Sequence, residues 1–92
     1  MSVIIRKPTP DEIEEASKWK TWTKGITMFE MNYKQSERCL ILEGEVKVIA
    51  EGKYYYFKGG DYVIFRKGLI AKWIIKSPVR KKYLFEDIVC WL

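Results

Sequence analysis

The side chains of this chain that could take part in chemistry are two thiols, several carboxylates, tyrosines and many cations. The sequence contains no histidine. Without histidine, Ser-His and Cys-His catalytic pairs are excluded and the commonest metal ligand is missing. Cys39 and Cys90 are the only two cysteines and are far apart in the sequence. Two cysteines make neither a disulfide framework nor a four-cysteine zinc site. We expect both thiols to be reduced and Cys39 to fill space in the core, with a single bridge between them left open as an alternative.

Basic side chains are concentrated in the second half of the chain. Residues 1–45 carry seven basic and eight acidic side chains, whereas residues 46–92 carry ten basic and four acidic ones. The run Arg80, Lys81 and Lys82 could bind a phosphate or a carboxylate, and the whole stretch 66–82 could attract a nucleic acid. A solvated turn is the interpretation we favour, so nucleic acid is not the partner we expect.

One short helix is predicted near the start of the chain. Thr9 can cap it, Pro10 suits its first position, and Glu12 completes a capping box with Thr9. We expect this helix to end at about Ser17 or Lys18.

The remaining elements read as short strands separated by turns. The predicted strands are Val3–Arg6, Ile26–Tyr33, Glu37–Leu42, Glu45–Ala50, Tyr54–Lys58, Asp61–Arg66, Ile70–Lys76 and Lys82–Leu92. The predicted turns lie at Glu43-Gly44, Glu51-Gly52, Gly59-Gly60, Lys67-Gly68 and Ser77-Pro78. A chain of 92 residues with this pattern indicates one all-β domain, an antiparallel sandwich or closed barrel. Residues 1–24 would supply a strand, the helix and a connector, and residues 25–92 the barrel.

Two stretches resemble the sequence motifs of the cupin superfamily. In the first, six residues separate Glu37 from Gly44, and the second runs from Gly60 to Gly68 as GDYVIFRKG. Trp73 and the sequence PVRK at 78–81 are similar to the small cupins that include ureidoglycine aminohydrolase and the ethanolamine-utilisation cupin. The resemblance covers residues 19–85 and implies a small antiparallel jelly-roll barrel.

The resemblance also shows where this chain departs from metal-binding cupins. The positions that hold the metal in those proteins are here Met31, Tyr33, Glu37 and Ala71. A longer spacing of the first motif would place Glu30 and Asn32 at the first two positions instead. Alanine has no donor atom, and a methionine thioether suits Cu(I) better than Fe, Mn or Zn. We therefore expect neither a metal ion nor another cofactor.

Strand alternation predicts which side chains point into the barrel. If Glu37 points inward, Cys39 does too, and Trp73 shares its face with Ala71. The predicted lining of a ligand site is Met31, Tyr33, Glu37, Cys39, Ala71 and Trp73. Such a lining is typical of a small-molecule pocket, but it also fits a small barrel that its own side chains fill.

Glu37 is the most informative of these residues. A carboxylate inside an apolar barrel without a metal must be protonated, paired with a cation such as an arginine, or hydrated at the barrel mouth. It could bind an amine or hydroxyl of a ligand, or act as a general acid or base, which makes Glu37 the candidate if there is catalysis. The alternative is a polar contact with the backbone or with water, and this is the interpretation of Glu37 that we favour.

Three function classes follow from these residues. We favour a metal-free cupin that binds a small organic ligand. The alternatives are an enzyme similar to ureidoglycine aminohydrolase acting on a small nitrogenous metabolite, and a protein that binds anions or nucleic acid. Apolar residues on outward faces (Ile26, Met28, Leu40, Leu42 and the tail 88–92) predict a homodimer. The absence of an apolar segment at the start predicts a cytoplasmic protein without a membrane partner.

Overall fold

The computed structural model describes residues 2–87 and consists of seven strands and one helix. In chain order they are β1 Val3–Arg6, α1 Pro10–Ala16, β2 Lys20–Lys24, β3 Met28–Asn32, β4 Ser36–Ala50, β5 Lys53–Lys58, β6 Tyr62–Phe65 and β7 Ile70–Glu86. The predicted all-β fold with one short N-terminal helix is confirmed. The expectations for Cys90 and for the tail 88–92 lie outside the described residues.

The helix α1 begins where the sequence predicts. The Thr9 hydroxyl accepts the Glu12 N–H at 3.2 Å, and the Glu12 carboxylate accepts the Thr9 N–H at 2.8 Å. The same carboxylate receives two hydrogen bonds of 2.7 Å from the guanidinium of Arg6 in β1. The capping box therefore also connects the helix to the edge of the sheet.

Glu12 makes the stability of this end of the fold depend on pH. Hydrogen bonds from Arg6 lower the pKa of Glu12 from 4.5 to about 2. The carboxylate is therefore more acidic in the folded chain, and its stabilising effect is lost as pH falls from 4.5 towards 2. We expect Glu12→Gln to lower the free energy of unfolding by about 0.5–1 kcal/mol at pH 7 and by much less at pH 2.5.

Urea unfolding of both proteins at the two pH values measures this difference. Glu14→Gln, on the exposed side of α1, is the matched control and should change stability little at either pH. An equal loss for Glu12→Gln at both pH values would contradict the predicted role of its charge.

Two long strands, β4 and β7, pair with each other along most of their length and join all the others into one antiparallel system. The first half of β4 also pairs with β6, which pairs with β1, and the second half pairs with β5. The first half of β7 pairs with β3 and its second half with β2. Each long strand thus contributes to both layers, and the core lies between them.

Two of the predicted turns do not break the chain into separate strands. Gly44 has a φ of 108° and lies within β4, where the pairing with β7 shifts register. Ser77 and Pro78 lie within β7, so the prediction of a turn there was wrong. Pro78 falls opposite the bulged part of β4, between the pairs Glu43–Arg80 and Glu45–Ser77. A proline is tolerated in a strand at such an irregularity because no regular ladder needs its missing N–H.

The segment that the sequence assigned to a connector contains strand β2. Its residues pair antiparallel with β7, from Lys20 opposite Tyr83 to Lys24 opposite Val79. Trp22 is its one half-buried residue, and the other four are exposed. A strand with a single inward apolar side chain carries almost no alternation signal.

Apolar side chains of the long strands divide between two clusters. Cys39, Ile41, Ala71, Trp73 and Ile75 belong to the main core, which agrees with the predicted inward faces. Leu40 and Leu42 lie under α1 and Trp19 in a second cluster. Ile26 and Met28 remain 70% and 62% exposed, and the homodimer stays a prediction that would use this surface. Within residues 2–87, no helix is long and apolar enough to cross a membrane.

Candidate ligand-binding site

A cavity of about 150 Å³ opens between β2, β3, β4 and β7. Four buried side chains form its floor, namely Tyr33, Glu37, Trp73 and Lys81. More exposed side chains surround its entrance, namely Trp22, Phe29, Met31, Tyr83 and Phe85. The cavity therefore has a polar floor and mostly apolar, aromatic walls.

Strand alternation on β7 supplies much of this lining. Trp73, Lys81, Tyr83 and Phe85 are all odd-numbered positions of one strand, so their side chains share a face. The neighbouring strand β2 adds Trp22 at the entrance. The site is thus built mainly by one strand that runs without a turn through both layers.

Tyr33 is held at the end of β3 by backbone hydrogen bonds to the loop before β7. Its N–H donates to the Leu69 carbonyl at 2.8 Å, and its carbonyl accepts the Gly68 N–H at 2.7 Å. The phenol ring stacks on Phe65 with a centroid distance of 4.8 Å. These contacts fix the phenol at the floor of the cavity.

A buried ion pair crosses the floor between β4 and β7. The Lys81 ammonium lies 2.7 Å from Oε2 of Glu37, and the two side chains are 7% and 1% exposed. Of the three environments that the sequence allowed for Glu37, the structure shows pairing with a cation, and that cation is a lysine. Removing two charges from water is costly, so each depends on the other for compensation.

Aromatic rings surround the ammonium group of Lys81. Its Nζ lies 4.8 Å from the ring centroid of Trp22, 4.7 Å from that of Trp73 and 5.9 Å from that of Tyr83. The negative faces of such rings attract a cation, most strongly where water is excluded. Lys81 is therefore positioned by its neighbours, and its charge is an integral part of the cavity floor.

The Tyr33 hydroxyl and the Trp73 indole form the second polar pair of the floor. The indole N–H donates to the hydroxyl at 3.0 Å. Burial, together with the negative charge of Glu37, raises the pKa of Tyr33 far above its ordinary value. The phenol therefore keeps its proton at neutral pH and remains a possible donor to a bound molecule.

One oxygen of the Glu37 carboxylate is poorly satisfied. Oε2 accepts from Lys81, whereas Oε1 is buried and makes no hydrogen bond of good geometry within residues 2–87, although the Tyr33 hydroxyl interacts with the carboxylate. Buried polar atoms are nearly always satisfied, so each exception needs an explanation. Because Glu37 lines the cavity, a molecule that enters it could supply the missing donor.

Four of the six predicted ligand-site residues line the cavity, namely Met31, Tyr33, Glu37 and Trp73. Cys39 and Ala71 are fully buried in the core and do not reach it. The Cys39 thiol lies 3.5 Å from the Val63 carbonyl, and burial raises its pKa well above the ordinary value. A thiol in that state is a poor nucleophile, which agrees with the predicted space-filling role.

The predicted anion-binding run does not form a cluster. Arg80 points outward to Glu43 at 2.6 Å, and the Lys82 ammonium donates to the Trp19 carbonyl at 3.3 Å. Lys81 points inward, because neighbouring residues of a strand face opposite sides. The interpretation of these residues as a solvated turn was therefore wrong, and Lys81 belongs to the cavity.

The predicted ligand set missed five lining residues: Trp22, Phe29, Lys81, Tyr83 and Phe85. Phe29 shares its predicted face with Met31 and Tyr33, so that signal was present in the sequence. The three residues of β7 continue the inward parity of Trp73, which the supposed turn at Ser77-Pro78 interrupted. Trp22 lies in the strand that the sequence did not predict.

The residues at the cupin metal positions do not fit a divalent metal. Ala71 offers no donor, Met31 offers a soft thioether, and the Glu37 carboxylate already receives an ammonium group at 2.7 Å. Among the residues that the structure describes, no group of three or more His, Cys, Asp or Glu side chains could hold a metal ion. Lys81 supplies a positive charge beside the carboxylate at the position that, by the sequence resemblance, holds the metal in metal-binding cupins.

Comparisons with known proteins agree with this architecture. A family model described as the EutQ-like cupin domain matches residues 12–83. A DUF861 family protein from Thermotoga maritima is 44% identical, with a TM-score of 0.87, over 91% of this chain and 99% of that chain. No curated protein matches the sequence.

Two more distant structures share the fold. A putative ethanolamine utilization protein Q from Salmonella typhimurium is 22% identical, with a TM-score of 0.67, over 92% of this chain and 69% of that chain. The EutQ protein of Clostridium difficile is 16% identical, with a TM-score of 0.68, over 92% of this chain and 68% of that chain. At these identities the similarity concerns the fold alone.

Proposed function

The chain belongs to the EutQ-like cupin family, and we propose that it binds a small organic molecule in the cavity above Glu37 and Lys81, without a resident metal ion. The family match confirms the resemblance drawn from the sequence motifs. The binding role is the proposal, and it needs an internal site that accepts a guest and a chemical reason for the guest to stay.

The observation that carries the proposal is the unfilled cavity over a buried ion pair. A small barrel without a binding role is expected to fill its interior with side chains. Here a volume of about 150 Å³ stays open beside two charged side chains that are 1% and 7% exposed. A cavity of that volume has room for a benzene-sized molecule. Apolar walls with a few convergent polar groups are typical of small-molecule sites.

Binding can be tested with toluene as a minimal probe. We expect toluene to shift the NMR signal of the Trp73 indole N–H, because that group lies at the floor of the cavity and donates to Tyr33. Met31→Trp should abolish the shift by filling the cavity. Met28→Trp is the matched control, since Met28 lies on the same strand and is 62% exposed.

Two outcomes of this NMR experiment would contradict the binding proposal. If neither toluene nor a polar aromatic probe of similar size shifts the Trp73 signal in the unmodified protein, or if toluene shifts it equally in the Met31→Trp protein, the cavity is not a binding site. The amide signals in the same spectrum show whether the Met31→Trp protein is folded.

A further inference from the structure

We infer that the cavity selects small neutral molecules that carry a hydrogen-bond donor beside an acceptor, with an aromatic carboxamide as the simplest class. The inference rests on the proposed binding function and adds the chemistry of the ligand. It follows from the hydrogen-bonding capacity that Glu37 and Lys81 have left, from the charge balance of the floor and from the aromatic walls.

The donor of the ligand is required by Glu37. Its Oε1 is buried, belongs to a side chain that lines the cavity, and makes no hydrogen bond of good geometry within residues 2–87, although the Tyr33 hydroxyl interacts with the carboxylate. A carboxylate oxygen can only accept hydrogen bonds, so the complementary group of a ligand is an N–H or an O–H. A ligand without such a group would leave this oxygen buried and unsatisfied.

The acceptor of the ligand is matched to Lys81. An ammonium group has three N–H donors, and the hydrogen bond to Glu37 at 2.7 Å uses one of them. Because Lys81 also lines the cavity, a carbonyl oxygen can accept from a second N–H. A carboxamide carries an N–H and a carbonyl on neighbouring atoms. Its N–H can donate to Glu37 while its carbonyl oxygen accepts from the adjacent Lys81.

The charge balance of the floor favours a neutral ligand. Glu37 and Lys81 compensate each other, and the other side chains of the lining carry no formal charge at neutral pH. An anion would meet the Glu37 carboxylate, and a cation would meet the Lys81 ammonium. Either would add an uncompensated charge to a poorly hydrated site.

The walls favour an aromatic group next to the carboxamide. Phe29 stacks on Trp73 with a centroid distance of 5.7 Å, and Trp22 meets both rings edge to face. A planar ring can pack against these faces and edges with little loss of conformational entropy. The floor would thus form hydrogen bonds with the polar group of the ligand, and the walls would pack against its ring.

Four probes of similar size separate these requirements: benzamide, acetophenone, benzoate and toluene. Acetophenone keeps the carbonyl but replaces the amide N–H groups with a methyl group, and benzoate adds a negative charge. We expect benzamide to bind at least tenfold more tightly than each of the other three, measured as a Kd from the Trp73 indole signal. A site that hydrogen-bonds its ligand rejects an analogue that lacks the donor.

Variants test whether the ion pair is the selective element. The double variant Glu37→Leu, Lys81→Met removes both charges and should bind benzamide and toluene with similar Kd values. Lys72→Met is the matched control, because Lys72 is exposed on the outer face of β7. It should keep the preference for benzamide.

Each contrary result has a distinct meaning. If benzamide and acetophenone bind equally well at the cavity, or if benzoate binds most tightly, the inferred ligand class is wrong while small-molecule binding stands. If none of the four probes shifts the Trp73 signal, the proposed binding function itself fails. The probe series uses the unmodified protein, so these outcomes do not depend on the folding of a variant.

Discussion

Lys81→Met is expected to lower the free energy of unfolding by about 3–5 kcal/mol, the range found when one partner of a buried ion pair is removed. Methionine keeps an unbranched side chain of similar length, so little packing is lost. What remains is the Glu37 carboxylate, 1% exposed, without its cation in a cavity whose walls are mostly apolar and aromatic. Because small domains are stable by only about 5–15 kcal/mol, this loss is a large fraction of the total.

Urea unfolding at pH 7 measures the effect, and a double-mutant cycle identifies its cause. Glu37→Leu alone leaves the lysine uncompensated and should be strongly destabilising too. The double variant Glu37→Leu, Lys81→Met should recover most of the loss, because apolar residues of similar volume often replace a buried ion pair at little cost. Lys72→Met, the same substitution on the outer face of β7, should change stability by less than about 0.5 kcal/mol.

Equal effects of Lys81→Met and Lys72→Met would contradict the buried position of Lys81. A double variant that loses as much as the sum of the two single variants would show that the two charges do not compensate each other. Either result would also remove the polar floor on which the binding proposal depends.

The inward face of each strand could be predicted from the sequence, because alternation is a local property of an extended chain. It places Tyr33, Glu37, Cys39 and Trp73 correctly on faces that point into the barrel. It does not say which of them reach an open space. Cys39 points inward but lies in the filled part of the core, and that depends on residues from other strands.

The ionic partner of Glu37 could not be predicted in this way. Glu37 and Lys81 are 44 positions apart, and the register between β4 and β7 shifts at several places near Gly44. Counting residues therefore does not bring the two together. The dipeptide Ser77-Pro78 added to the difficulty, because it normally indicates a turn and here lies inside a strand.

The helix α1 was predicted and the strand β2 was not, because the first depends on residues close in the sequence and the second on a distant strand. The capping box of α1 involves residues three apart, so Thr9 and Glu12 identify the start of the helix without any knowledge of the fold. The strand β2 exists because β7 offers it a partner, and only Trp22 contributes an apolar side chain to the interior. A sequence pattern reports the first kind of interaction and misses the second.

Gly44→Ala is the second substitution with a large expected effect, a loss of about 2–5 kcal/mol of unfolding free energy from backbone strain and overpacking. The φ of Gly44 is 108°, a value that side chains rarely allow. A β-carbon at this position would lie 2.6 Å from the Pro78 carbonyl oxygen and 2.7 Å from the Val79 Cα. Both are backbone atoms of β7, so no side chain can rotate away to make room.

Gly52→Ala separates the two causes of this loss. Gly52 also has a positive φ, 73°, but a β-carbon there would meet no atom within 4 Å. Its substitution should cost only about 1–2 kcal/mol of backbone strain. The additional loss for Gly44→Ala in parallel urea titrations measures the close approach of β4 and β7. Equal losses of unfolding free energy for the two substitutions would mean that β7 does not pass close to Gly44. They would then contradict a continuous strand β7 that brings Lys81 into the cavity.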